Sequence, residues 1–242
     1  MIPKIIHYCW FGRNPLPPLA IKCIESWKKY FPDYEIKEWN EDNFNVNIIP
    51  YTQKAYEAKK YAFVSDYARF WILYNYGGIY FDTDVEVIRS MDDIIKKGPF
   101  MGCETQKADC NPGLGLGCYP QINLIKTMLD LYETLTFTAN KNNEFKYKTI
   151  VEYTTEILVK HGLKHTHKIQ IIEGFHIYPY DYFNPINITT KRLHITDNTR
   201  SIHHFAASWV EASLKTKFKK IAQKIIPEFI LIKYNKIKFN NK

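Results

Sequence analysis

The chain has 242 residues, 45% of them hydrophobic and 24% charged, the balance of a folded globule and not of a disordered, collagenous or coiled-coil chain. Its net charge of +8 sits in residues 214–242, which hold nine lysines and one acid, Glu228, whereas residues 1–213 carry 24 basic and 24 acidic side chains. An enzyme of nucleic acids would place positive charge around its cleft, so this distribution argues against a nucleic-acid partner.

Five cysteines with no CxxC pair give neither a zinc-site spacing nor a secreted disulfide framework. A reducing cytoplasm is the expectation, since the N-terminus also lacks the shape of a signal peptide. The apolar stretch at residues 229–232 is far shorter than the roughly 18 residues a membrane span requires.

Residues 2–11 form an apolar and aromatic run that predicts a buried strand, closed by Gly12 and a loop containing Pro15, Pro17 and Pro18. Ile21, Ile24 and Trp27 recur at helical spacing, and residues 34–39 alternate as a second strand after Phe31-Pro32-Asp33. Strand, helix and strand open a βαβ unit. Residues 54–74 predict one helix, stopped by Gly77 and Gly78. Residues 79–87 then read as a strand with Ile79, Phe81, Thr83 and Val85 on one face and Tyr80, Asp82, Asp84 and Glu86 on the other. Further on, residues 122–135 and 150–161 predict helices, and 168–172 and 176–179 short strands. No repeat or linker interrupts residues 1–213, which predicts one α/β domain over 1–213 followed by a basic amphipathic tail over 214–242.

In an extended strand Asp82 and Asp84 would stand about 7 Å apart on one face, at roughly 3.4 Å of rise per residue. Two hard oxygen ligands with open positions between them suit Mg²⁺ or Mn²⁺ carrying a diphosphate better than Zn²⁺. Taken alone, the same residues are a solvated strand end, so the neighbours decide. Asp66 and Arg69 stand at i and i+3 on one helical face. They read either as a surface ion pair of little energy or as a carboxylate for sugar hydroxyls beside a guanidinium for sugar and phosphate. Gly113, Gly115 and Gly117 mark a loop beside the cleft, and Asp109 and Glu156 are acids that could approach the reacting carbon.

With these neighbours the sequence resembles the glycosyltransferases of family 32, DXD-motif sugar transferases of the GT-A fold. The resemblance is carried by Ile2-Pro3-Lys4-Ile5-Ile6-His7-Tyr8-Cys9-Trp10-Phe11-Gly12, by residues 65–85, and by His203-His204-Phe205-Ala206-Ala207-Ser208-Trp209. It implies a GT-A type α/β fold, a central mixed sheet flanked by helices. A more distant similarity to the clostridial glucosylating toxins implies roles. Trp10 would stack on the donor base; Ser65, Asp66 and Arg69 would bind the donor sugar; Tyr80 would contact diphosphate or sugar. Asp82 and Asp84 would be the metal pair, Asp84 directly. His204 resembles a third metal ligand, with His203 equally plausible by chemistry, and Ser208 and Trp209 would reach the diphosphate.

The resemblance thus implies a metal-dependent hexosyltransferase, retaining, using Mn²⁺ or Mg²⁺ and a nucleotide-sugar donor, UDP-sugar being favoured, with a saccharide acceptor. Bacterial capsule, O-antigen or other surface-polysaccharide assembly is the expected setting. Leu214, Phe218, Ile221 and Ile225 fall at helical spacing among lysines, so the tail predicts peripheral attachment to an anionic membrane surface, with a polyprenyl-linked acceptor held there. The alternatives are a phosphohydrolase of the haloacid dehalogenase type, which Glu86 at its expected Thr or Val position disfavours, and a non-catalytic nucleotide-sugar-binding module.

Overall fold

The computed structural model describes residues 1–137, 148–187, 190 and 192–206. β1 (Ile5–Cys9) is followed by α1 (Pro18–Tyr30) and β2 (Glu35–Trp39), which lies parallel to β1, the predicted βαβ unit. Pro18 at the first turn of α1 costs no hydrogen bond there. Ala20, Cys23, Ile24 and Trp27 form its buried stripe, which keeps the predicted Ile24 and Trp27, whereas Ile21 is half exposed at 49%.

α2 (Pro50–Glu57) and α3 (Tyr61–Tyr76) divide the segment expected to be one helix. Lys59 turns left-handed at φ 57°, and Lys60 N donates back to Ala55 O at 2.8 Å. This is a Schellman-type stop built without the usual glycine, which is why composition concealed it. The predicted stop after α3 is present, with Gly77 at φ 63°.

β3 (Gly78–Tyr80) pairs parallel to β1, and β4 (Val85–Val87) leaves the main sheet. After α4 (Asp92–Ile95) come β5 (Phe100–Gly102), β6 (Leu116–Cys118), α5 (Asn123–Thr134) and α6 (Ile150–Lys160). β7 (Gln170–Ile172), β8 (Phe175–Tyr178), α7 (Tyr180–Phe183) and β9 (Ser201–His203) follow. The result is a mixed seven-stranded sheet of order β2-β1-β3-β6-β5-β8-β7 flanked by helices, with β4 and β9 as a separate antiparallel ribbon.

Alternation along β1 sends Ile6 and Tyr8 into one apolar cluster, with Trp27, Phe81 and Phe100, and Cys9 into another, with Tyr67, Phe70 and Leu73 of α3. His7 is fully buried between sheet and helix end. Trp39 Nε1 donates to its Nδ1 at 3.1 Å, so Nε2 carries the proton and donates to Gly77 O at 2.9 Å. From β1 the chain steps to β2 on one side and then to β3 on the other. That reversal opens a crevice at the carboxyl ends of β1 and β3, where α/β sheets characteristically take ligands.

Among the described residues no helix is long and apolar enough to cross a membrane. The tail 214–242 lies outside the described residues.

Candidate active site

The carboxyl end of β3 delivers Asp82 into this crevice, and the predicted nine-residue strand breaks there. Val85 N donates to Asp82 O at 3.0 Å, a tight turn that folds the second aspartate back toward the first. The carboxylates therefore do not stand along a strand face. Instead, ligand atoms of Asp82, Asp84 and His203 lie within 4.8 Å of one another.

His203 arrives through the ribbon, in which Val85 pairs with His203 and Val87 with Ser201. Its Nε2 is 3.0 Å from Asp84 Oδ1. The neighbouring His204 turns the other way, with Nε2 2.8 Å from Glu86 Oε2, which Lys22 also meets at 2.8 Å. The structure thus brings His203 to the aspartates and places His204 on Glu86. Residues 204–206 clasp Asp84 further: His204 N donates to its backbone oxygen at 3.0 Å and Ala206 N to Oδ2 at 2.8 Å.

The electrostatics follow from this clasp. Burial would raise the Asp84 carboxyl, but the hydrogen bond and charge of His203 and the Ala206 N–H outweigh it and hold it low. Burial would likewise lower His203; the hydrogen bond and charge of Asp84, with the charges of Asp82 and Glu104, raise it instead. His203 Nδ1 is buried without a hydrogen-bond partner.

Beneath the pair lies Arg69 of α3, almost fully buried at 3% exposure. It donates from Nη2 to Asp66 Oδ1 at 3.0 Å and from Nε to Ser65 O at 3.1 Å, and its Nη1 lies 3.3 Å from Asp82 Oδ1. The i, i+3 pair is therefore interior. One guanidinium serves two carboxylates, and burial with the Asp82 charge pushes Asp66 up against the pull of Arg69. Tyr80, 1% exposed, lies under the guanidinium at 4.8 Å and donates to Asp82 Oδ1 at 3.2 Å. Ser65 Oγ is engaged with Tyr61 O. Trp10, at the carboxyl end of β1, is half-buried and donates from Nε1 to Asn14 O at 2.6 Å. Ser208 and Trp209 lie outside the described residues.

The glycine-rich loop supplies a support that sequence left vague. Asp82 N donates to Gly113 O at 2.9 Å, and a Cβ on Gly113 would fall 1.9 Å from Asp82 Oδ2. Asn111 fixes this loop, accepting from Gly113 N at 2.8 Å and donating to Glu104 Oε2 at 2.9 Å. Asp109 accepts from Thr105, and Glu156 pairs with Lys148 at the surface. Glu104 is the acid whose charge reaches His203. A lone Glu before an unrecognised hairpin gave no signal for it.

The family described as "Glycosyltransferase sugar-binding region containing DXD motif" matches residues 17–101. Inositol phosphoceramide mannosyltransferase 3 of Schizosaccharomyces pombe is 35% identical over 98 residues, 39% of this chain and 27% of that protein. Mannosyl phosphorylinositol ceramide synthase of Saccharomyces cerevisiae is 30% identical over 105 residues, 42% of this chain and 28% of that protein. An uncharacterized glycosyltransferase of Acanthamoeba polyphaga mimivirus is 34% identical over 106 residues, 41% and 42% respectively. Among solved structures, the PaToxG glycosyltransferase aligns with a TM-score of 0.45 at 22% identity, over 54% of this chain and 60% of that one. The chain thus spans 27%, 28% and 42% of the length of these curated relatives, less than half of each. Residues 17–101, with Asp82 and Asp84 among them, are similar to the DXD-containing sugar-binding region of glycosyltransferases.

Proposed function

We propose that the chain is a metal-dependent glycosyltransferase of GT-A type that moves a sugar from a nucleotide-sugar donor to a saccharide acceptor with retention of configuration. The observation that carries this reading is the Asp82, Asp84 and His203 cluster at the sheet's switch point, with both aspartates inside the region that matches the DXD family.

Two carboxylates and one imidazole, each offering one ligand atom within 4.8 Å of the others, fit a divalent cation. Mn²⁺ accepts imidazole more readily than Mg²⁺. When bound, the cation supplies positive charge against the departing diphosphate. Asp84 and His203 would hold it, His203 as the neutral imidazole. Asp82, braced by Tyr80 and Arg69, faces the same point and is left to meet the cation, the sugar or the ribose. Arg69 holds that carboxylate in place from beneath. Trp10 offers its ring to the base from the end of β1.

The names of the relatives speak of mannosyl transfer to an inositol phosphoceramide, so GDP-linked mannose belongs in the donor screen beside the UDP-sugars favoured above. Surface-polysaccharide assembly remains the proposed setting, with the lysine-rich tail holding the enzyme at an anionic membrane beside a lipid-linked acceptor. The test is thermal stabilisation and turnover across nucleotide sugars with and without Mn²⁺, since a bound ligand stabilises the fold by mass action. Metal-dependent stabilisation by one nucleotide and release of that nucleotide are expected. Release of inorganic phosphate from simple phosphomonoesters, with no response to nucleotide sugars, overturns the reading.

A further inference from the structure

The connection between β5 and β6 contains a hairpin of its own. Cys103 and Cys110 face each other as an antiparallel bridge. Glu104 N donates to Asp109 O at 2.7 Å and Asn111 N to Gly102 O at 3.0 Å, so the two cysteines are a pair that exchanges no backbone hydrogen bonds. In such pairs facing Cα atoms lie about 4.5 Å apart and side chains approach most closely. That spacing falls within the roughly 4.4–6.8 Å that a disulfide requires. Their sulfurs are 3.5 Å apart, so each needs to move by less than about 1 Å to reach bonding distance.

We propose that Cys103 and Cys110 are a redox site that closes reversibly into an intramolecular disulfide, with a low-molecular-weight disulfide as oxidant. One protein thiolate attacks a sulfur of the oxidant and expels a thiol; the second attacks the mixed disulfide and expels another. The two protein thiols lose two electrons and two protons, and the oxidant leaves as two thiols. Both sulfurs are buried, so exchange proceeds through opening of the hairpin at its exposed tip, Gln106 and Lys107. The contact with Cys103, and then burial, hold the Cys110 thiol well above its ordinary range. Exchange is therefore slow at neutral pH and faster in mild alkali. The bond would fasten the hairpin one residue before Asn111, whose side chain holds Gly113 in place.

The experiment holds the full chain, folded by circular dichroism, in excess oxidised glutathione at mildly alkaline pH, then blocks free thiols and cuts with trypsin without reductant. Lys107 lies between the two cysteines, so the enzyme separates them unless a bond joins them. The expected product is peptide 98–107 linked to peptide 108–126, lost on adding dithiothreitol, with fragmentation placing the link at Cys110 and not at Cys118. Cys110→Ser should abolish the linked product while Cys118→Ser leaves it. Recovery of both cysteines with free thiols, a stable glutathione adduct on either, or a link to Cys118 overturns the proposal.

Discussion

Gly113 presses its Cα so close to the Asp82 carboxylate that a single methyl group there would stand 1.9 Å from Oδ2 and 2.9 Å from Arg69 Nη1. The obstacle is the end of a side chain, so Gly113→Ala should displace Asp82 and leave the fold in place. A shift of about 1 Å at a reacting centre costs on the order of 10²-fold in rate. The expected result is that loss in kcat/KM with circular dichroism unchanged; wild-type turnover would show that Asp82 tolerates the displacement.

The two adjacent histidines separate by metal titration. His203→Ala should weaken Mn²⁺ binding by more than about 100-fold, while His204→Ala, which reaches the site only through Glu86 and the chain, should cost about tenfold or less. Calorimetric titration of both variants checks the order. The reverse order would restore His204 as the ligand.

Arg69→Ala removes the one guanidinium between two carboxylates, Asp66 and Asp82. A buried charge left without its partner costs about 3–5 kcal/mol. Urea unfolding should show this loss, and adding Asp66→Asn should recover part of it. Stability equal to the wild type would mean that water already compensates these carboxylates.

Burial holds the neutral imidazole of His7 down at about 4 against an ordinary 6.5, with the Gly77 hydrogen bond opposing and the Lys37 charge assisting. The unfolded chain therefore takes up a proton at a pH where the folded chain does not. The stabilisation is complete above about pH 6.5 and is lost as pH falls toward about 4, amounting to about 3 kcal/mol at most. His7→Gln, which can keep both hydrogen bonds, should flatten the dependence of stability on pH across that window. An unchanged slope would place the proton uptake elsewhere.

If Trp10 stacks on the donor base, Trp10→Ala should raise the donor KM by about tenfold, given about 1–3 kcal/mol per base stacked on an aromatic ring, with a smaller effect on kcat. Initial rates at varied donor concentration distinguish this from a loss confined to kcat.

What could be read from the chain was whatever repeats with a clear period or ends on glycine. β1, β2, α3 with its Gly77 stop, α5 and α6 all announce themselves this way. The features that shape the site do not. The turn at Asp82 replaces a perfect alternation through residue 87, because the hydrogen bond from Val85 to Asp82 and the pairing of Val85 with His203 outweigh strand continuity. Lys59 breaks the long helix in a conformation that glycine usually signals. β9 has three residues, too few to show a period, so nothing in the sequence decided between His203 and His204. The buried setting of Asp66 and Arg69 was hidden likewise, since an i, i+3 pair looks the same inside and out.

The β4 and β9 ribbon has a consequence for how the chain matures. Glu86 and His204 lie 118 residues apart, and contacts of such sequence separation form late, after their loop-closure entropy has been met. During synthesis, Asp82 and Asp84 emerge long before the imidazole that completes their cluster. Cation binding by that cluster would therefore report on completion of the ribbon, and a chain ending before residue 201 would keep its aspartates exposed with no third ligand to close on them.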